Sequence, residues 1–235
     1  MNEPGAPADH VTPYDRLALD EATLIRLLAA KEPNDGLVEY FGEALFNELV
    51  QLARATSRGT RAQKGNGKRG EPGRRVYVLP GIMGSQLGFV RGGDKPSDIL
   101  WLDPVDIAFG RLTELTLTPD SRVVALGAMN YSYLKFTLSL RKAGFDAVLL
   151  DYDWRHDIEA LGRRLADRIE EDGKDDVAIV GHSMGGLVAR AALMHTPGKR
   201  VTQLIMLGTP NAGSEERRVG KECMPVCRSR WSPYH

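Results

Sequence analysis

Gly181-His182-Ser183-Met184-Gly185 joins an apolar run, Val177-Ala178-Ile179-Val180, to a helix-forming run from Leu187 to Met194. A serine at a sharp strand-to-helix turn is forced into a strained backbone conformation, and flanking glycines remove the side chains that would clash there. The strain leaves the hydroxyl exposed above the strand ends. The first free N–H groups of the following helix are aimed at whatever the serine attacks, so a developing oxyanion meets donors already in place. Ser183 is therefore the candidate catalytic nucleophile, with Gly181, His182 and Gly185 supporting the turn. The competing reading is an ordinary Gly-rich turn, and it is the weaker one because strand, turn and helix fall where the motif requires them.

A nucleophilic serine needs a base. His182 adjoins Ser183, but neighbouring side chains at a sharp turn point in different directions, which makes it a supporting residue. His195 lies about 18 Å further along the helix at 1.5 Å per residue, far outside hydrogen-bond reach. His156 precedes the serine near a strand end, and His10 lies in a polar, Pro-rich tail.

The elements that must position these groups begin at Val76. Val76–Leu79, Ala147–Leu150, Val177–Val180 and Gln203–Leu207 read as strands, with helices over Tyr131–Ala143 and Asp157–Glu171 between them. Short apolar strands alternating with helices imply parallel pairing through crossovers, and four buried strands make a half-built sheet. The stretch Gly88–Ala128 lacks a clear period and reads as a long irregular segment, either a cap over the site or a surface excursion.

Ahead of the sheet, apolar spacing predicts an amphipathic helix over Leu17–Ala30, with Asp20 as N-cap, and a second one carrying Val38, Phe41, Leu45, Leu49 and Leu52. The two would form a hairpin. This divides the chain into an N-terminal helical extension (1–56), a basic Gly-rich linker (57–75), a partial α/β domain (76–213) and a tail (214–235).

Lys plus Arg equals Asp plus Glu at 31 each in 235 residues, so no global field draws in nucleic acid or an anionic surface. The linker is basic, but without interleaved aromatics it reads as a solvated connector, and no nucleic-acid partner is expected. Met1–Thr12 lacks the apolar core of a secretory signal, and no stretch reaches the length of a membrane span, so a cytoplasmic product is expected. Both cysteines, Cys223 and Cys227, fall in the tail, so no disulfide framework is expected. Neither a metal site nor a cofactor is expected.

Val78-Leu79-Pro80-Gly81-Ile82-Met83-Gly84-Ser85-Gln86-Leu87, Asp151-Tyr152-Asp153-Trp154-Arg155, Gly181-His182-Ser183-Met184-Gly185-Gly186 and Leu207-Gly208-Thr209-Pro210 occur in that order. Together they resemble the lecithin:cholesterol acyltransferase-like family of α/β-hydrolases, over about Val76–Gly213. The resemblance implies an α/β-hydrolase-type, mostly parallel sheet flanked by helices. It also implies a serine acyl-enzyme route acting on acyl esters, commonly lipids. In that arrangement the backbone N–H groups of Ile82 and Met184 form the oxyanion hole, with Met83 as an alternative to Ile82. Asp151–Arg155 end a strand at the ligand-gathering edge of the sheet. Trp154 there either lines an acyl pocket or belongs to a structural clamp, in which Arg155 pairs with Asp151 or Asp153.

A hydrolase would continue past Gly213 with further strands carrying the acid and the histidine. Ser214–His235 shows neither period, and apart from Met224–Cys227 it resembles the in-frame translation of a sequencing-library adapter. The expectation is a C-terminally truncated, inactive fragment of a serine esterase, lipase or O-acyltransferase, with its last strand an exposed apolar edge. A non-catalytic module, binding a partner through the helical hairpin, is the alternative.

Overall fold

The computed structural model describes residues 11–12, 14–15, 19–30, 35–65, 73–93, 95–196 and 200–213, with side chains of 58–65 left aside. Leu17, His10, both cysteines, the Gly-rich stretch 66–72 and the tail 214–235 lie outside the described residues.

Four parallel strands form the main sheet: β1 (Arg75–Leu79), β5 (Asp146–Leu149), β6 (Val177–His182) and β7 (Val201–Leu207), in the order β5-β1-β6-β7. Val78 stands opposite Leu149 on one side and Val180 on the other, and His182 opposite Leu207. Alternate residues of β1 face opposite ways. Tyr77 and Leu79 join Ile179 of β6 in packing on α6 (Ile158–Asp172) and α7 (Met184–Leu193), through Leu165, Ile169, Val188 and Ala189. Val76 and Val78 face the other way with Ala178 and Val180, against Leu140 of α5 (Asn130–Lys142). Burial on both faces is why β1 and β6 read as continuous apolar runs. The chain thus has an α/β-hydrolase-type architecture, a parallel sheet flanked by helices. β7 lies at an edge of this sheet with Ile205 and Leu207 39% and 45% exposed, the exposed apolar edge expected of the last strand, so the four strands are not all buried.

Among the described residues, the N-terminal region holds three helices rather than two. α1 (Glu21–Ala29) is capped by Asp20, whose carboxylate accepts the Thr23 N–H. Gly42, at φ 74°, separates α2 (Asp35–Phe41) from α3 (Glu43–Gly65), because a left-handed residue ends one helix and costs glycine little. α3 runs through Ser57–Gly65, where low apolar content predicts a linker, and β1 starts at Arg75. Leu24, Leu28, Leu37, Phe41 and Leu49 bury themselves against Leu134 and Leu138 of α5, so these helices pack as a further layer on the α/β unit.

The segment Gly88–Ala128 is not irregular. β2 (Ser85–Phe89), β3 (Asp98–Trp101) and β4 (Val124–Ala128) make an antiparallel sheet in the order β3-β2-β4, with α4 (Pro104–Ala108) and a 3-10 turn between β3 and β4. Register shifts beside Leu87 on both pairings spoil the two-residue alternation by which strands are read. A buried ionic cluster pins this sheet. Arg111 bonds Asp98 through two nitrogens at 3.0 and 2.9 Å and Asp106 at 2.8 Å. Arg91 bridges Asp98 and Asp15, and Asp15 also accepts the Ile99 N–H at 2.8 Å. The N-terminal segment is thereby tied to β3.

Candidate active site

β6 ends and α7 begins at Ser183, which sits at φ 49°, ψ −122°, a conformation that an L-residue holds only under constraint. Two backbone hydrogen bonds help supply it. The Ser183 N–H donates to Leu207 O on β7 at 2.8 Å, and the Gly186 N–H donates to Ser183 O at 3.1 Å. The glycines let backbones close in. A Cβ on Gly185 would lie 2.4 Å from Pro80 O, one on Gly181 2.6 Å from Gly186 N, and one on Gly186 2.0 Å from Thr209 Oγ1. The start of α7 is therefore pressed against the end of β1, and the serine is half-buried with its hydroxyl making no hydrogen bond among the described residues.

Facing it is the turn Gly81–Gly84, closed by the Gly84 N–H donating to Gly81 O at 3.0 Å, with Met83 at φ 60°. Its proximity is tight, since a Cβ on Gly81 would lie 3.0 Å from Ser183 Cβ and 3.1 Å from His182 Nδ1. Ile82 and Met83 are 54% and 46% exposed at the tip of the turn. Met184 is the first residue of α7, where an amide has no partner inside its own helix. The Gly81 N–H is taken, donating to Tyr133 Oη at 2.9 Å.

His182 turns toward α5, and its Nδ1 lies 2.9 Å from Tyr133 Oη. His195 is bonded to Glu159 on α6 at 2.6 Å, and that bond holds the carboxylate below its usual range. His156 lies 3.5 Å from Asp153. The described histidines are thus each engaged away from Ser183 Oγ, and no described imidazole bonds it.

Asp153–Arg155 form a clamp. Arg155 bonds both carboxylate oxygens of Asp153, at 2.8 and 2.6 Å, and reaches Leu115 O and Val123 O at 3.0 Å each. Burial opposes ionisation of Asp153, but the Arg155 hydrogen bonds outweigh it and hold the carboxyl below the usual range. Asp151 is exposed and is not Arg155's partner. Trp154 donates to Ser85 O at 3.1 Å and meets Trp101 edge-on at 5.8 Å, while Trp101 donates to Met83 O at 3.0 Å. These bonds lock the end of β5 to the antiparallel sheet and to the turn facing Ser183.

A cleft of about 300 Å³ opens beside the site, walled by Tyr133, Phe136, Val180, His182 and Leu207. A larger cleft, about 660 Å³, lies between the end of β5 and α6 and includes Asp151, Asp153, His156 and Arg164; neither cleft is lined by Ser183 or Gly81. Among the described residues no group of three or more His, Cys, Asp or Glu is arranged to hold a metal ion. None of their helices is long and apolar enough to cross a membrane.

Tyr133 gave no sequence signal, and Tyr152 and Ser85 stood inside the quoted motifs without a role. Ser85 is buried at the end of the quoted Gly-rich motif, where its Oγ accepts the Tyr152 N–H at 3.2 Å. Tyr133 lies on an ordinary amphipathic helix with no local signal of its proximity to Ser183.

A parallel sheet with a strained serine between strand and helix defines an α/β-hydrolase-type protein. Residues 153–218 match the family model for a PGAP1-like alpha/beta domain, a lipase/esterase-like alpha/beta hydrolase family, which points to hydrolase activity. No curated protein and no solved structure gives a significant match.

Proposed function

We propose that this chain belongs to a serine-dependent acyl-ester hydrolase or O-acyltransferase acting on lipid-like esters, of the kind its motif order resembles. The strained backbone of Ser183, facing the Gly81–Gly84 turn, carries the reading. In it Ser183 Oγ attacks the ester carbonyl, the amides of Ile82 and Met184 receive the oxyanion, and the alcohol leaves with a proton. Water or a second alcohol then takes the acyl group. The apolar walls of the adjoining cleft, Phe136, Val180 and Leu207, suit an acyl chain. None of the described histidines bonds Ser183 Oγ, and a serine without a positioned base reacts slowly, at the level left when a triad member is removed.

A fluorophosphonate probe tests this directly. Covalent capture at Ser183, lost in Ser183→Ala, is expected, with weak hydrolysis of a chromogenic acyl ester lost in the same variant. Equal labelling of both chains refutes it. The reading as a partner-binding module is less favoured, because the apolar faces of α1, α2 and α3 are already buried on α5.

A further inference from the structure

The peptide unit between Pro80 and Gly81 has its carbonyl and its N–H both bonded by tyrosine hydroxyls. The Tyr152 hydroxyl donates to Pro80 O at 2.6 Å, and the Gly81 N–H donates to Tyr133 Oη at 2.9 Å. In a trans peptide these two groups lie in one plane and point in opposite directions, so a partner at each fixes its rotation. The same Tyr133 hydroxyl also shares a hydrogen bond with His182 Nδ1 at 2.9 Å. Burial raises the pKa of both phenols, which keeps them protonated at neutral pH. Tyr133 comes from α5 and Tyr152 from the end of β5, so two elements converge on one peptide plane.

That plane immediately precedes the Gly81–Gly84 turn, which faces Ser183. With the Gly81 amide engaged by Tyr133, the next amide along the turn, that of Ile82, is the first one left for a negative oxygen. The closeness of Gly81 to Ser183 Cβ means that a small rotation of the plane changes the gap between turn and serine.

We propose that Tyr133 and Tyr152 are positioning residues that grip this peptide, withdraw the Gly81 amide from oxyanion binding and leave that of Ile82 to face Ser183. The proposal rests on the Ser183 reading above and deepens it. A purely structural role for the tyrosines would stabilise the fold without changing the reactivity of the serine.

The test uses the full 235-residue chain, Tyr133→Phe, Tyr152→Phe and Ser183→Ala. Two quantities are read: the rate of fluorophosphonate capture, and the hydrogen exchange of the Gly81 amide relative to the amides of β1. Loss of an oxyanion donor outright costs about 10²–10³ in rate, and a donor merely misaimed loses part of that. Each Phe variant is therefore expected to capture the probe about tenfold more slowly. Gly81 exchange should rise at least about tenfold in Tyr133→Phe, the fold-change expected of a lost bond of about 1.4 kcal/mol, with β1 unchanged. Capture lost in Ser183→Ala but undiminished in the Phe variants overturns the proposal alone. A wild-type chain that captures no probe overturns the Ser183 reading and the proposal together. Exchange that rises equally at Gly81 and along β1 marks loosening of the strand and also overturns the clamp.

Discussion

Gly185→Ala probes how α7 meets β1. The added Cβ would lie 2.4 Å from Pro80 O and 2.8 Å from Leu79 O, both backbone atoms that cannot swing aside. Cβ contacts below 3.0 Å are essentially unknown, so helix and strand must part by at least about 0.6 Å. Overpacking costs about 1–3 kcal/mol, and backbone obstruction places this case near the upper end. Replacing a helical glycine by alanine returns about 1 kcal/mol, leaving a net loss of about 2 kcal/mol. For a chain of this size that lowers Tm by about 4–8 °C. The same displacement separates Ser183 from the turn at Gly81. A misplacement of about 1 Å costs on the order of a hundredfold in rate, so probe capture should fall at least about tenfold. Gly92→Ala is the control, since its Cβ would meet nothing within 4 Å and its cost should stay within about 0.5 kcal/mol. A Gly185→Ala chain that melts and captures probe like the wild type would refute the close approach.

Arg111→Met leaves Asp106 buried without its cation and Asp98 with Arg91 alone, and should cost about 3–5 kcal/mol by urea unfolding at pH 7. Burial already raises the Asp106 carboxyl against the pull of Arg111, so the variant's deficit should shrink toward pH 4 as the acid protonates; a deficit independent of pH argues against it. Burial first, and then the hydrogen bond to Asp172, push the Tyr77 phenol up to about 12. A raised folded-state pKa stabilises below the ordinary value of 10.0 and loses that contribution as pH climbs through about 12, so Tyr77→Phe should flatten part of the alkaline stability slope. Leu138→Ala, at a fully buried contact between α5 and the N-terminal helices, should cost about 2–5 kcal/mol in a single transition. Two separate transitions would mean that the helices fold apart from the sheet.

The parallel sheet was legible because β1, β5 and β6 are short apolar runs separated by helix-length segments, and the elbow because its glycines are spaced by a backbone requirement. Asp20 declared its cap through residue type. The antiparallel sheet was not legible: register shifts at Leu87 and a chain reversal held by Arg111 and Asp98 depend on partners distant in sequence. Gly42 concealed a helix break inside an apolar period that runs smoothly across it, and α3 overran a stretch whose composition argues for a linker. At the site, Ser183 and the turn at Gly81 carried sequence signals, whereas Tyr133 and Tyr152 matter only because folding brings two hydroxyls to one peptide 52 and 72 residues away in sequence.

The Ser183 N–H ends the β6–β7 ladder by donating to Leu207 O, and among the described residues β7 is an edge strand, with Ile205 and Leu207 open to solvent. Ser183 is therefore moored to an edge of the sheet. Any fraying that starts at the carboxyl end of β7 casts off the serine's amide before it disturbs β1 or β5. Whatever shields that border also sets how long the hydroxyl keeps its aim.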